Sequence, residues 1–88
     1  MSYYLEFTDK AKEDIASHKK AGNKLILNKL FVLLNELTIH PHTGTGKPEM
    51  LRFSLSGLWS RRINHEHRLV YDISDSKVTI LSAKEHYF

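Results

Sequence analysis

The stretch LRFSLSGLWSRRINHEHRLVYDI, residues 51–73, decides the fold class. Leu51, Phe53 and Leu55 alternate with Arg52 and Ser54, a period of two that predicts a half-buried strand. Ser56-Gly57 is a turn signal leading into a second strand, Leu58 to Ile63. Asn64 to Glu66 turns into a third, His67 to Ile73. Downstream, Ser74 to Ser76 turns into a fourth, Lys77 to Ala83. Short strands joined by tight turns predict an antiparallel meander. Upstream of Pro41 the period is helical. Ile26, Leu30, Leu33, Leu34 and Leu37 share one face of a helix expected from about Lys24 to Ile39. A first helix runs to about Lys20, with Thr8 as its cap and Asp9 in its positive first turn. Tyr3, Leu5 and Phe7 form a strand before it. The expected fold is α+β, with two N-terminal helices packed on one face of an antiparallel sheet. The helices read as scaffold.

Strand parity then sorts the arginines. If Leu69, Tyr71 and Ile73 face the helices, Arg68 and Val70 face outward, and Arg52 does so by the same argument. The adjacent pair Arg61-Arg62 must place one guanidinium on each face. With Trp59 and Ile63 in the core, Arg62 is the outward one. An open face carrying Arg52, Arg62 and Arg68 is the expected result. Charge placement agrees. Of 13 Lys+Arg, five (Lys47, Arg52, Arg61, Arg62, Arg68) lie between positions 47 and 68 with only Glu49 and Glu66 against them. The other eight basic and eight acidic residues cancel. Arg is suited to forked contacts with phosphate, so this segment is a candidate anion site.

Other classes are excluded. A chain of 88 residues makes one domain and sustains no large internal cavity, so function belongs on a face or shallow groove. With no Cys there is no disulfide, thiol nucleophile or Fe–S cluster, and a reducing cytosol is permitted. No apolar run is long enough to span a bilayer, and the start lacks the form of a signal peptide. Gly44-Thr-Gly-Lys-Pro48 fails as a phosphate loop, because Pro41 and Pro48 stand where that motif needs Gly and Ser or Thr. The pairs His40/His42 and His65/His67 have metal-like spacing, but one is interrupted by Pro41 and the other straddles a turn. No metal site and no cofactor are expected.

One scattered set has the chemistry for metal-free RNA cleavage. Glu49 can take the proton of a ribose 2′-OH, and His86 can protonate the departing 5′-oxygen. Arg68 and Arg62 can stabilise charge on the pentacoordinate phosphorus, and Tyr87 can stack on or orient a base. Residue types alone favour a plainer account: a surface salt bridge, a frayed tail and a basic face.

The motifs containing these residues shift that balance. Gly44-x-Gly-Lys-Pro-Glu49, Leu55-Ser-Gly-x-Trp-Ser-Arg-Arg62, Glu66-His-Arg-Leu-Val-Tyr71 and His86-Tyr87 follow one another over half the chain. In this order and spacing they resemble the signature of the YoeB/Txe toxins of the RelE-like superfamily. The resemblance implies a microbial-ribonuclease-like fold and a cytoplasmic endoribonuclease that cuts mRNA in the ribosomal A site, halting translation. It implies that Glu49 is the general base, His86 the general acid, Arg68 the phosphate-stabilising arginine and Tyr87 the site's tyrosine. Arg62 and Lys47 match basic residues of that site. The implied partners are the ribosome, mRNA and a neutralising antitoxin of the YefM/Phd type, with a homodimer left open. Phe88 extends past the family's usual terminal Tyr, and Asn64-His65 departs from it at a turn. Two rivals remain: a non-catalytic RNA- or ribosome-binding module, and a DNA-binding corepressor. The first has no use for a carboxylate beside its arginines. The second lacks a helix basic enough to enter a major groove, so operator DNA would be reached only through the antitoxin.

Overall fold

The computed structural model describes residues 2–52 and 57–85. Its elements are β1 (Tyr4–Phe7), α1 (Asp9–Lys20), α2 (Lys24–Leu37), β2 (Glu49–Met50), β3 (Trp59–Arg62), β4 (Arg68–Ser74) and β5 (Lys77–Ser82). Thr8 caps α1 as expected, its hydroxyl accepting from the Ala11 N–H at 3.1 Å. The same hydroxyl donates to the Leu81 carbonyl at 3.0 Å, which ties the cap to β5. Asn23 caps α2 by accepting from the Ile26 N–H. α2 stops at Leu37, two residues before the expected end. The Thr38 N–H bonds back to Asn35, and those of Ile39 and His40 both return to the Glu36 carbonyl, so the last turn tightens ahead of Pro41.

The described strands form one sheet in the order β1-β5-β4-β3-β2. β2 to β5 make the expected antiparallel meander. β1, however, joins the free edge of β5 in parallel, pairing Leu5 with Val78 and Phe7 with Ile80. The sheet is therefore mixed, and the fold class remains α+β. β1 and β5 share an edge because α1 and α2 return the chain across one face, and local sequence pattern carries no information on such distant pairing. A second correction concerns β2. Pairing with β3 occurs at Glu49 and Met50, upstream of the expected strand from Leu51 to Leu55. Leu51 adds one bond, its N–H donating to the Leu58 carbonyl, and residues 53–55 lie outside the described residues.

Leu30, Leu33 and Leu37 of α2 are buried with Ala11 of α1 against Leu69, Tyr71, Val78 and Ile80 of the sheet. Each such aliphatic side chain contributes about 1.5–3 kcal/mol relative to exposure. Parity holds on β3 and β4, since Leu69 and Tyr71 face the helices and Val70 pairs with Ser60 on the opposite face. A register shift between Val70 and Tyr71 brings Ser82 opposite Val70. Val70 was expected outward and open; it points outward, but Ser60, Val70 and Ser82 are all buried.

Candidate active site

Arg61 is the organising residue, and it lies on the core side. Its side chain is fully buried, with 0 % exposure. Each guanidinium N–H donor has a partner. Nε donates to the Tyr71 hydroxyl at 3.1 Å; Nη1 to Glu36 Oε1 at 2.9 Å and to the Thr45 carbonyl at 3.4 Å. Nη2 donates to the carbonyls of His40 and Thr43. Tyr71 in turn donates to the Pro41 carbonyl at 3.0 Å. Burial pushes the Tyr71 phenol up, against the opposing effect of Arg61, so it keeps the proton it donates.

This network holds the loop between Pro41 and Gly46. Glu36 grips it from the other side, accepting the Thr45 N–H at 2.8 Å and the Thr45 hydroxyl at 2.5 Å. The Thr45 hydroxyl above all holds the Glu36 carboxyl below its ordinary value, against the opposing effect of burial, with Thr45 N–H and Arg61 adding to it. The two glycines explain why the motif reads Gly-x-Gly. Gly44 has φ +125°, and a Cβ there would overlap Glu36 Oε1. Gly46 has φ +85°, and a Cβ there would lie 2.8 Å from the Arg62 carbonyl oxygen. The Gly46 carbonyl accepts the Arg62 N–H at 2.7 Å, which locks the loop to β3. Lys47 follows in a left-handed conformation, φ +51°, rare for a residue with a Cβ and typical of functional loops.

The loop delivers Glu49 to the outward face. Glu49 pairs with Ser60, and Arg62 lies directly opposite Arg68 in the β3–β4 register. Arg68 Nη1 approaches Glu49 Oε1 to 3.8 Å. The Arg68 side chain is 11 % exposed, whereas Glu49 is 57 % exposed and faces solvent. Like charges directly opposite on neighbouring strands are destabilising, and an anion bound between Arg62 and Arg68 would offset that. The structure thus brings together Glu49, Arg62 and Arg68, with exposed Lys47 at the loop that leads to them. Arg52 is exposed but lies past the end of β2, so strand parity does not position it. His86 and Tyr87 lie outside the described residues.

Among the described residues no group of three or more His or carboxylate side chains is placed to hold a metal ion. The His-x-His pairs separate: His40 serves Arg61 through its carbonyl, and the His42 ring meets Trp59 edge-on at 5.2 Å. His67 is buried while His65 is exposed. No helix of the described residues is long and apolar enough to cross a membrane.

Two polar residues escaped the sequence reading, and a third, His67, features there only in a metal-like pair and at the start of a strand. Asp14 and His18 on α1 are buried, and so is His67. Asp14 Oδ2 accepts the Ala83 N–H, and His18 Nε2 bonds to the Ala83 carbonyl, both at 2.9 Å. A faint signal existed in the spacing of Asp14 and His18, which puts both on the face of α1 that carries Ala11.

The family model for YoeB-like toxins of bacterial type II toxin–antitoxin systems matches residues 7–87. The toxin YoeB of Synechocystis sp. is 47 % identical over 66 residues, covering 75 % of this chain and 77 % of that protein. The structure of the YoeB dimer from Staphylococcus aureus superposes with a TM-score of 0.86 at 39 % identity, covering 99 % of this chain and 100 % of that one. A YoeB–YefM complex from the same organism gives 0.84 at 40 % identity, with the same coverage. A loop sprung from a buried arginine, a carboxylate facing paired arginines, and a match spanning nearly the whole domain lead to one assignment: the chain belongs to the YoeB-like toxins of bacterial type II toxin–antitoxin systems.

Proposed function

We propose that this toxin is a ribosome-dependent endoribonuclease that cuts mRNA in the A site and so inhibits translation. The observation that carries this reading is Glu49 standing 3.8 Å from Arg68, with Arg62 opposite, on the sheet face turned away from the helices. Glu49 removes the proton of a ribose 2′-OH, and the oxygen attacks the adjacent phosphorus. The bond to the 5′-oxygen breaks, His86 protonates that oxygen, and a 2′,3′-cyclic phosphate and a 5′-hydroxyl result. Arg68 and Arg62 stabilise the added negative charge, so the scheme uses no divalent metal. Lys47 and Arg52 hold the strand, and Tyr87 orients a base.

The face is shallow and its groups are few, so the ribosome supplies the orientation of a flexible substrate. Free RNA is therefore expected to be cut at least about 100-fold more slowly than the same message on programmed ribosomes. Primer extension on the two substrates, at matched protein concentration, checks this. Equal rates would overturn the ribosome-dependent reading.

A YefM-type antitoxin is the proposed partner, as in the S. aureus complex, in the cytoplasm where ribosomes are; operator DNA is then contacted through the antitoxin. A homodimer is proposed from the S. aureus dimer. An acidic, apolar antitoxin segment laid over Arg52, Arg62 and Arg68 would replace the phosphates. Arg62→Glu combined with Arg68→Glu should weaken the complex by roughly 100-fold or more, measured by calorimetry. Unchanged affinity would place the antitoxin on another surface.

A further inference from the structure

The end of the described chain is held by more polar machinery than a small toxin needs for stability. Both backbone polar groups of Ala83 are taken, the N–H by Asp14 and the carbonyl by His18. Both groups of Glu85 are taken as well. Its N–H donates to His67 Nδ1 at 2.8 Å, and its carbonyl accepts the Arg68 N–H at 3.2 Å. Between them, Lys84 Nζ donates to Ser17 Oγ at 3.0 Å. Asp14, His18 and His67 are 6 %, 4 % and 7 % exposed. Buried polar side chains are costly unless fully partnered, and here three of them are committed to the backbone of one short segment. Glu85 itself sits at φ +64°, a strained setting for a non-glycine residue that persists only when its surroundings enforce it. The clasp also reaches the site directly, because Arg68, which faces Glu49, is the residue whose N–H holds Glu85.

We propose that His67, backed by Asp14 and His18, is a positioning residue: it clasps Ala83–Glu85 onto the start of β4, where Arg68 faces Glu49, and cleavage depends on that clasp. The catalytic half of this rests on the endoribonuclease reading above. Because Nδ1 accepts from Glu85, the His67 proton is on Nε2, towards the Glu66 carboxylate 3.8 Å away. Protonating Nδ1 would break the clasp. The charged and titratable groups around His67 are Glu66 on its own turn, His18 on α1, and Lys84 and Glu85 on the tail; the His18 ring meets it edge-on at 4.8 Å. Burial, opposed by Glu66, holds the His67 imidazole below its ordinary value of 6.5. The neutral ring therefore supports the clasp above pH 6.5, and the support is lost as pH falls through the lowered value.

Amide exchange by NMR on the whole chain tests the clasp without reference to activity. In the wild type, the Glu85 amide should be protected, and its protection should fall in step with His67 protonation. His67→Leu should quicken its exchange by roughly tenfold or more, the scale of one lost hydrogen bond. His67→Asn, which keeps an acceptor near the Nδ1 position and cannot titrate, should retain protection and remove its pH dependence. On saturating ribosome complexes, His67→Leu should lower single-turnover cleavage by about 100-fold, as for a misplaced reacting group, with ribosome affinity unchanged. His67→Asn should recover most of the rate. An unprotected Glu85 amide in the wild type, or one indifferent to His67, overturns the clasp. A loosened amide with undiminished cleavage overturns its positioning role. Absence of any cleavage by the wild type overturns the endoribonuclease reading and the positioning role with it, while the exchange data still decide the clasp.

Discussion

Replacing Arg61 by Met is expected to lower the unfolding free energy by about 3–5 kcal/mol, the scale for leaving several acceptors in and around the core without their donor at about 1–3 kcal/mol each. The side chain is fully buried; its loss strands the carbonyls of His40, Thr43 and Thr45 and takes a donor from Glu36 and the Tyr71 hydroxyl, which keep only Thr45 and Pro41. Each kcal/mol moves the midpoint of a domain this size by roughly 4–8 °C, so thermal melting followed by circular dichroism should show a drop of roughly 12–40 °C. Pairing Arg61→Met with Glu36→Gln removes the unpaired charge but not the stranded carbonyls, so it should recover only part of the loss. Arg61→Lys is not a conservative alternative. Lys offers three donors from one point, where Arg offers five in a planar fork to partners spread from α2 to the loop. A fall of less than about 1 kcal/mol for Arg61→Met, the range of surface ion pairs, would show that the network contributes little. Acid should act on the same network. The Glu36 carboxyl is held below its ordinary value of 4.5, so its stabilising contribution is complete above that pH and is lost as pH falls through the lowered value.

The second large effect is catalytic. Arg68→Ala should slow single-turnover cleavage on ribosome complexes by about 100- to 1,000-fold, as for removal of a preorganised donor to a developing anion. The loss of stability should be smaller than for Arg61→Met, whose side chain is fully buried and donates to five acceptors. The pairing with Glu49 is long, at 3.8 Å, the carboxylate is 57 % exposed, and removing Arg68 also relieves repulsion with Arg62 across the strand pair. This contrast with Arg61 is the test of the two assignments: neighbouring arginines on one sheet, one failing in melting and the other in chemistry. Glu49→Gln should fall in a comparable range, about 100- to 10,000-fold for a positioned general base. The double variant should lose less than the product of the single losses, since both groups act in one transition state. Near-normal cleavage by Arg68→Ala would remove it from the reaction and leave Arg62 as the charge-stabilising group.

What the sequence by itself determined was whatever depends on neighbours close along the chain. The 3.6-residue spacing of Ile26, Leu30, Leu33 and Leu37 specified α2 and its buried face, Thr8 specified the start of α1, and the period of two specified β3 to β5. Parity even placed one guanidinium of the Arg61-Arg62 pair on the core side, since side chains alternate on any strand. Motif order carried the family. Tertiary structure decided the rest, because each remaining feature joins positions far apart in the chain. That the inward arginine would be met by Glu36, Tyr71 and three loop carbonyls depends on how α2 lies across the sheet. The parallel pairing of β1 with β5 depends on the return path through two helices. Asp14 and His18 read as unremarkable helix positions until β5 brings Ala83 to them, and His67 reads as the first residue of a strand until Glu85 reaches its ring. For the polar side chains burial is the physical reason. A polar side chain has no fixed role in water, where any partner can be exchanged for solvent, and it acquires one only where the fold removes the solvent and leaves it a fixed set of partners.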